Sequence, residues 1–437
     1  MKKVIKIISI ASLLLLPMLG GCGGGVAEVR IYVPPTPSAS SETSEESAST
    51  PSAPDTPDTI DTYINSLEDE KSEASTEGAS SEDTDNRDTD NGDSTHERIR
   101  VLVQRGDKTL HIKGSTMGTI DVRADKDGNL IINEKGIVKD ALRLKPKPNS
   151  NGIIYVNKKP YRGIIEIRPA WDGLLVIDDI LLEEYLVGLI NKEISSKWPV
   201  ESIKAQAVIA RTYALYKKAE RAKKATSVDY DLTGTNLHQV YGGATGEDKA
   251  ARGAVWKTRG EVLMYKGGLA LTVYHSNAGG ITEASKDVWG SDFSYLRSVK
   301  SPYDKGSRSY SWSLSLSGKE LGEKLRGAGF DLGVIKKIKI KKTSRTGRVK
   351  SLLIKDTRGG KAVIKGEDLR KAIGYATLRS TLFEVKNKRK SFKFTGFGSG
   401  HGVGLSQWGA KGMADAGKSY EKILKHYYKG TKIKRAY

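Results

Sequence analysis

The chain has 437 residues, 37% of them hydrophobic and 7% aromatic, enough for a buried core over most of its length. A formal net charge of +20 hides an asymmetry: residues 23–98 carry about 19 acidic against about 4 basic side chains, which leaves roughly +32 from Ile99 onward. Such a charge favours polyanions in general; nucleic acid is set aside because neither a helix-turn-helix nor an aromatic-bearing sheet motif is found, and a single cysteine excludes an internal disulfide and any cysteine-rich zinc cluster.

Three lysines between Met1 and Lys6 precede a short apolar run, Ile7 to Leu19, too brief for a comfortable permanent span. Residues 1–22 therefore read as a signal peptide. It closes on Leu19-Gly20-Gly21-Cys22, which resembles the bacterial lipobox and implies an extracytoplasmic lipoprotein anchored to a membrane through acyl chains on Cys22. The plainer alternative is an ordinary secretory cleavage site beside an incidental cysteine. Residues 23–98 are Ser, Thr, Pro, Asp and Glu with few large apolar groups, so they cannot offset the entropy of ordering and read as a disordered, self-repelling linker.

From Ile99 the pattern changes. Ile99 to Val103, Leu110 to Ile112, Thr119 to Val122, Leu130 to Ile132, Ile153 to Val156 and Gly163 to Ile167 are short β-branched runs parted by Gly, Asp, Asn and Lys, which predicts a β-rich opening subdomain over 99–179. Leu181, Leu182, Tyr185, Leu186, Leu189 and Ile190 then recur at helical spacing. A second helix is predicted after the Ser195 to Trp198 break, with Pro199 in its opening turn and Glu201 at its positive end. On it Ile203, Ala207, Ala210 and Ala214 form a packing stripe. Lys204 and Arg211, and separately Gln206 and Tyr213, stand seven residues apart on other faces. Further on, Ile335 to Ile340, Val349 to Ile354 and Ala362 to Ile364 read as strands and Gly366 to Ala372 as a helix start. The fold class expected is α+β: the β-rich part, a catalytic core over 180–310, an inserted subdomain over 311–385 beside a cleft, and a glycine-rich cleft loop with a C-terminal helix over 386–437.

The segment Leu181 to Leu215 resembles the signature of the stage II sporulation protein D and amidase-enhancer (SpoIID/LytB) family. It carries Leu182-Glu-Glu-Tyr-Leu186, a glutamate shortly before Trp198-Pro199, Lys204-Ala-Gln-Ala207 and Ala210-Arg-Thr-Tyr-Ala214. Further blocks agree in order: Tyr161-Arg-Gly163, His238-Gln-Val-Tyr-Gly-Gly243, Tyr274-His-Ser-Asn-Ala-Gly-Gly-Ile-Thr282, Gly398 to Ala410 and Lys425 to Thr431. Active members are lytic transglycosylases, so the resemblance implies cleavage of peptide-poor peptidoglycan glycan strands, with Glu193 as the catalytic carboxylate. Such a group serves as acid and then base if an apolar wall, here Trp198 and the leucine-rich helix, raises its pKa. Without the resemblance, Glu193 reads as a helix-end surface residue.

The family's groove-lining positions fall on Lys204, Gln206, Arg211 and Tyr213; the cations would take muramyl carboxylates, or else form ion pairs with Glu201 or Glu183. Gln239 and Tyr241 are assigned to the cleft or to a core turn, His275 and Ser276 to a turn near the sugar. The glycine-dense block is expected to be a tight loop that sets His401, Ser406 and Gln407 at the wall, with His401 either a ligand or a buried hydrogen-bonder. No metal or other cofactor is expected: His238, His275 and His401 lack ligand spacing, and Asn277 and Ala278 stand where some relatives carry a cysteine. The partners implied are glycan strands, a cell-wall amidase and, through Cys22, a membrane; a non-enzymatic amidase-enhancing role is the alternative.

Overall fold

The computed structural model describes residues 97–114, 118–146, 152–223, 230–235, 237–389 and 391–437. The signal peptide, Cys22 and all but the end of the acidic linker lie outside the described residues.

The β-rich part forms two sheets around one core. The first has five strands in the order Leu232–Thr233, Arg98–Asp107, Gly173–Leu181, Ile164–Ala170 and Leu142–Leu144. The second runs Gly136–Val138, Leu130–Ile132, Thr119–Ala124, Thr109–Gly114, Ile154–Val156 and Lys159–Tyr161. Alternation sets the faces: Thr109–Gly114 buries Leu110 and Ile112 and exposes Thr109, His111 and Lys113. All six predicted strands of this region are present. The four missed are three-residue strands or, in Gly173–Leu181, a strand buried on both faces, where alternation is lost. That strand holds Asp178, which takes a hydrogen bond from the Tyr241 hydroxyl at 2.9 Å and whose pKa burial pushes up to about 7. Gly163 must be glycine, because a Cβ there would lie 1.9 Å from Asp178 Oδ1.

Helix Leu182–Glu193 follows directly, with Glu183 and Glu184 in its first turn. It ends as Ile194 turns extended, and helix Val200–Lys223 starts just after Pro199. The first half of this second helix is buried almost all round: Ile203, Ala207, Ala210 and Ala214 pack on the β-rich core, while Ala205, Val208 and Ile209 pack on a second core with Leu263, Leu405, Ile423 and Tyr428. This is why its polar residues do not behave as a solvated face.

A third core lies within 311–397. Strand Ser311–Ser317 pairs with Ser391–Phe397, which pairs in turn with Phe383–Asn387. Beside them Ile335–Thr343, Val349–Asp356 and Lys361–Lys365 form a separate antiparallel sheet, and helices Gly318–Gly327 and Gly366–Ile373 contribute Leu321, Leu325, Leu369 and Ile373 to the same core. Because Ser391–Phe397 is the central strand of its sheet, this packed unit closes at Phe397 and not at the expected 385. Among the described residues no helix is long and apolar enough to cross a membrane.

Candidate functional site

Where the first helix ends, Glu193 enters a cleft of 340 Å³ lined also by Asn191, Lys192, Ser195, Trp198, Ser276, Gln407 and Trp408. Two distant segments build the opposite wall. Tyr274–His275 pairs in parallel with Leu405–Ser406, and one residue beyond, the Trp408 amide donates to the Ser276 carbonyl at 3.0 Å. The approach depends on the glycine-dense block, in which Gly398, Gly400, Gly402 and Gly404 all have positive φ, the conformation glycine adopts without penalty.

The half-buried Glu193 carboxyl accepts from the Val240 amide at Oε1 at 2.8 Å, and the side chains of Tyr274 and Gln407 approach it as further donors that lower its pKa. Burial raises its pKa above the ordinary glutamate range despite these three donors, and a carboxylate at the negative end of a helix is disfavoured in the same direction. The hydroxyl of Tyr274 is fixed from behind. Gln239 donates to it at 3.4 Å and to the Ala210 carbonyl, and accepts from the Tyr185 hydroxyl at 3.2 Å. Burial, then the charge of Glu193, keeps the Tyr274 phenol protonated well past its usual range, so it remains a donor. Trp198 and Trp408 pack against each other along the wall, their ring centroids 5.0 Å apart and the planes tilted by 58°.

A model described as stage II sporulation protein matches residues 171–265, and one described as a domain of unknown function matches 288–404. An uncharacterized protein of Brachyspira hyodysenteriae is 32% identical over 322 residues, 74% of this chain and 84% of that protein. Stage II sporulation protein D of Bacillus amyloliquefaciens is 35% identical over 280 residues, 60% of this chain and 76% of that protein. The chain belongs to the SpoIID/LytB family. The amidase enhancer of Bacillus subtilis is 31% identical over 67% of this chain, which spans 47% of that longer protein.

Of the positions marked by the SpoIID/LytB resemblance, Glu193, Ser276 and Gln407 meet in the cleft, and several others do not. Arg211 is fully buried and clasps Glu183, so it is not available to line a groove. Lys204 binds Glu201 at 2.6 Å and lies 5.4 Å over the Tyr420 ring. Tyr241 faces Asp178, away from the cleft, and Gln239 supports Tyr274 from behind. Ser406 caps helix Gln407–Asp415 and donates to Asp304 at 2.7 Å. His401 uses both ring nitrogens internally, toward the Tyr274 carbonyl at 2.9 Å and the Val403 amide at 3.1 Å, and burial lowers its pKa to about 4. Both of its ring nitrogens are thus engaged within the protein. His275 packs against it and points Nδ1 at the Val403 carbonyl. Tyr213 is 8% exposed beside His238. Gln206, 1% exposed and one turn before Ala210, has no hydrogen-bond partner for either side-chain polar atom among the described residues.

Sequence reasoning missed Tyr274, Trp408 and Asn191. Each sits next to or near a residue it did single out, but only the parallel pairing of residues 274 and 405 shows which neighbour faces the carboxyl. Among the described residues no three His, Cys, Asp or Glu side chains converge as metal ligands.

Proposed function

We propose that the protein is a peptidoglycan lytic transglycosylase. It cuts the bond between N-acetylmuramic acid and N-acetylglucosamine in peptide-poor glycan and leaves a 1,6-anhydro end. The observation that carries this reading is that Glu193 is the one carboxylate among the described residues lining the cleft. Hydrolysis by external water commonly takes two carboxylates flanking the bond. The nearby Asp248 is committed elsewhere, accepting from Asn191 at 2.7 Å, from Ser196 and, as a helix cap, from the Ala251 amide. An attached nucleophile removes the need for a second base. Protonated Glu193 gives its proton to the leaving N-acetylglucosamine oxygen as the C1–O bond breaks; the muramyl O6 then bonds to C1 and passes its proton to Glu193, which is restored as the acid. Trp198 and Trp408 offer apolar faces to sugar rings, and exposed Lys192 is the rim cation that muramyl carboxylates would meet in place of Arg211.

The relative named amidase enhancer supports a second reading, a non-catalytic glycan binder that stimulates a cell-wall amidase. Incubating the full chain with amidase-treated peptidoglycan and weighing the products separates the two. Anhydro-muramyl ends support the enzyme; intact strands, together with faster turnover by an added amidase, support the enhancer.

Tyr274→Phe gives a finer check, because it removes a donor that lowers the Glu193 pKa. The acid form then persists to higher pH, so the alkaline limb of the cleavage profile is expected to move upward; a limb that stays in place would take Tyr274 out of contact with the working carboxyl.

In the same reading the protein works outside the cytoplasm, held by acyl chains on Cys22. Cys22→Ser is expected to move the mature chain from the membrane to the soluble fraction. Unchanged partition into detergent would point to an uncleaved amino-terminal helix.

A further inference from the structure

The three-stranded sheet Ile335–Thr343, Val349–Asp356 and Lys361–Lys365 has one face in the third core, through Ile335, Ile338, Leu352, Ile354 and Ile364. Its other face carries lysines in register. Lys337, Lys355 and Lys361 stand directly opposite one another across all three strands, Lys365 lies opposite Ser351, and Ser351 opposite Lys342; Lys339 lies between these rows. All six are exposed. Neighbouring strands are about 4.8 Å apart and alternate residues about 6.8 Å apart, so the lysines fill a strip about 10 Å wide and about 14 Å long.

Like charges directly opposite on a sheet destabilise it, and nothing here offsets them. Among the described residues the ion pairs of this sheet and its flanking elements are made by Lys350, Arg358 and Arg370, and by none of the six. The face also has no aromatic ring and no arginine; Leu353 and Val363 complete it. It therefore lacks platforms for stacking on sugars or bases, the forked donors of bidentate recognition, and the aromatic side chains that settle at a lipid interface. What it presents is a narrow line of flexible point charges.

We propose that this face binds a linear phosphodiester polyanion with a polyol backbone, apart from the Glu193 cleft and independently of what that cleft does. The strip's shape matches one extended polymer chain more closely than a lipid plane, and its chemistry reads charge alone. A polymer held here would tether the protein beside its polyanionic surroundings.

The test measures binding of the full chain to synthetic poly(glycerol phosphate) at several salt concentrations. Changing Lys337, Lys355 and Lys361 together to Gln is expected to weaken binding at least tenfold and to flatten its salt dependence. The same exchange at exposed Lys126, Lys135 and Lys139 removes equal charge elsewhere and is expected to change it less than twofold. The face variant should melt at or above the wild-type temperature, since it relieves cross-strand repulsion, so lost binding cannot be ascribed to misfolding. Equal loss in both variants, or no binding by wild type, overturns the proposal. Tighter binding to oligothymidylate of matched phosphate number, or to phosphatidylglycerol vesicles, with the same lysine dependence overturns it in favour of nucleic acid or a membrane surface.

Discussion

Replacing Glu193 by Gln is expected to bring anhydro-muramyl product below detection while the fold and glycan binding persist. The amide keeps the shape of the carboxyl and still accepts from the Val240 amide, but it can neither give nor take the proton. Loss of general acid-base catalysis typically costs ~10²–10⁴-fold, and more where one group serves both steps. Stability supplies an internal control with a definite sign. A carboxyl whose folded pKa is raised contributes stability at pH below its unfolded value and loses it as the pH climbs through the folded value. At neutral pH the native glutamate is thus a liability that Gln lacks, and the variant should melt no lower than wild type. Digestion of amidase-treated peptidoglycan at matched circular-dichroism signal, with products weighed, reads the result. Undiminished anhydro ends in the variant would remove Glu193 from the chemistry, and reducing ends in the wild type would make the enzyme a hydrolase in need of a second carboxylate.

Arg211→Met is expected to lower stability by about 3–5 kcal/mol, the usual consequence of stranding one member of a buried ion pair. The guanidinium donates to both oxygens of Glu183, at 2.9 and 2.7 Å, and to the carbonyls of Glu261 and Val255; Glu183 also accepts from the Gly260 amide and, at 2.6 Å, from the Tyr437 hydroxyl. This one pair ties both helices to the turn before strand Glu261–Tyr265 and to the C-terminal segment. Changing both partners, with Glu183→Leu added, should recover part of the loss because no unpaired charge remains. Denaturant titration of the three proteins measures this directly. A single variant that melts normally yet binds glycan poorly would return Arg211 to the groove.

Arg211 also shows where sequence reading reaches its limit. The motif blocks pointed to the family and to Glu193, and β-branched runs located strands such as Leu130–Ile132 to the residue, because both signals are local. A heptad-spaced Lys204 and Arg211 look alike on a helical projection, however, and differ only in what packs against them: Arg211 is fully buried, whereas Lys204 is partly exposed beside Glu201 and Tyr420. Likewise Ser406 and Gln407 are chain neighbours, yet one caps a helix toward Asp304 and the other reaches Glu193, a division decided by the parallel strand pair and invisible along the chain. The missed Tyr274 belongs to the same class. Its role as a donor to Glu193 rests on Gln239, from a segment that sequence alone left between cleft and core.

The pairing of Ser311 with Phe397 has a consequence for how the cleft comes into being. Residues 274 and 405 must find each other across a long intervening stretch, and loop closure grows costlier as the loop lengthens. If the third core condenses first, its two ends are already side by side and the stretch still to be closed shrinks to residues 275–310 and 398–404. By the logarithmic dependence on loop length, that saves about 1 kcal/mol of closure entropy. More than this small sum, that order would leave the wall opposite Glu193 among the last surfaces to form. Until then the carboxyl lacks the tyrosine and glutamine that hold it, so a chain still folding carries no finished site.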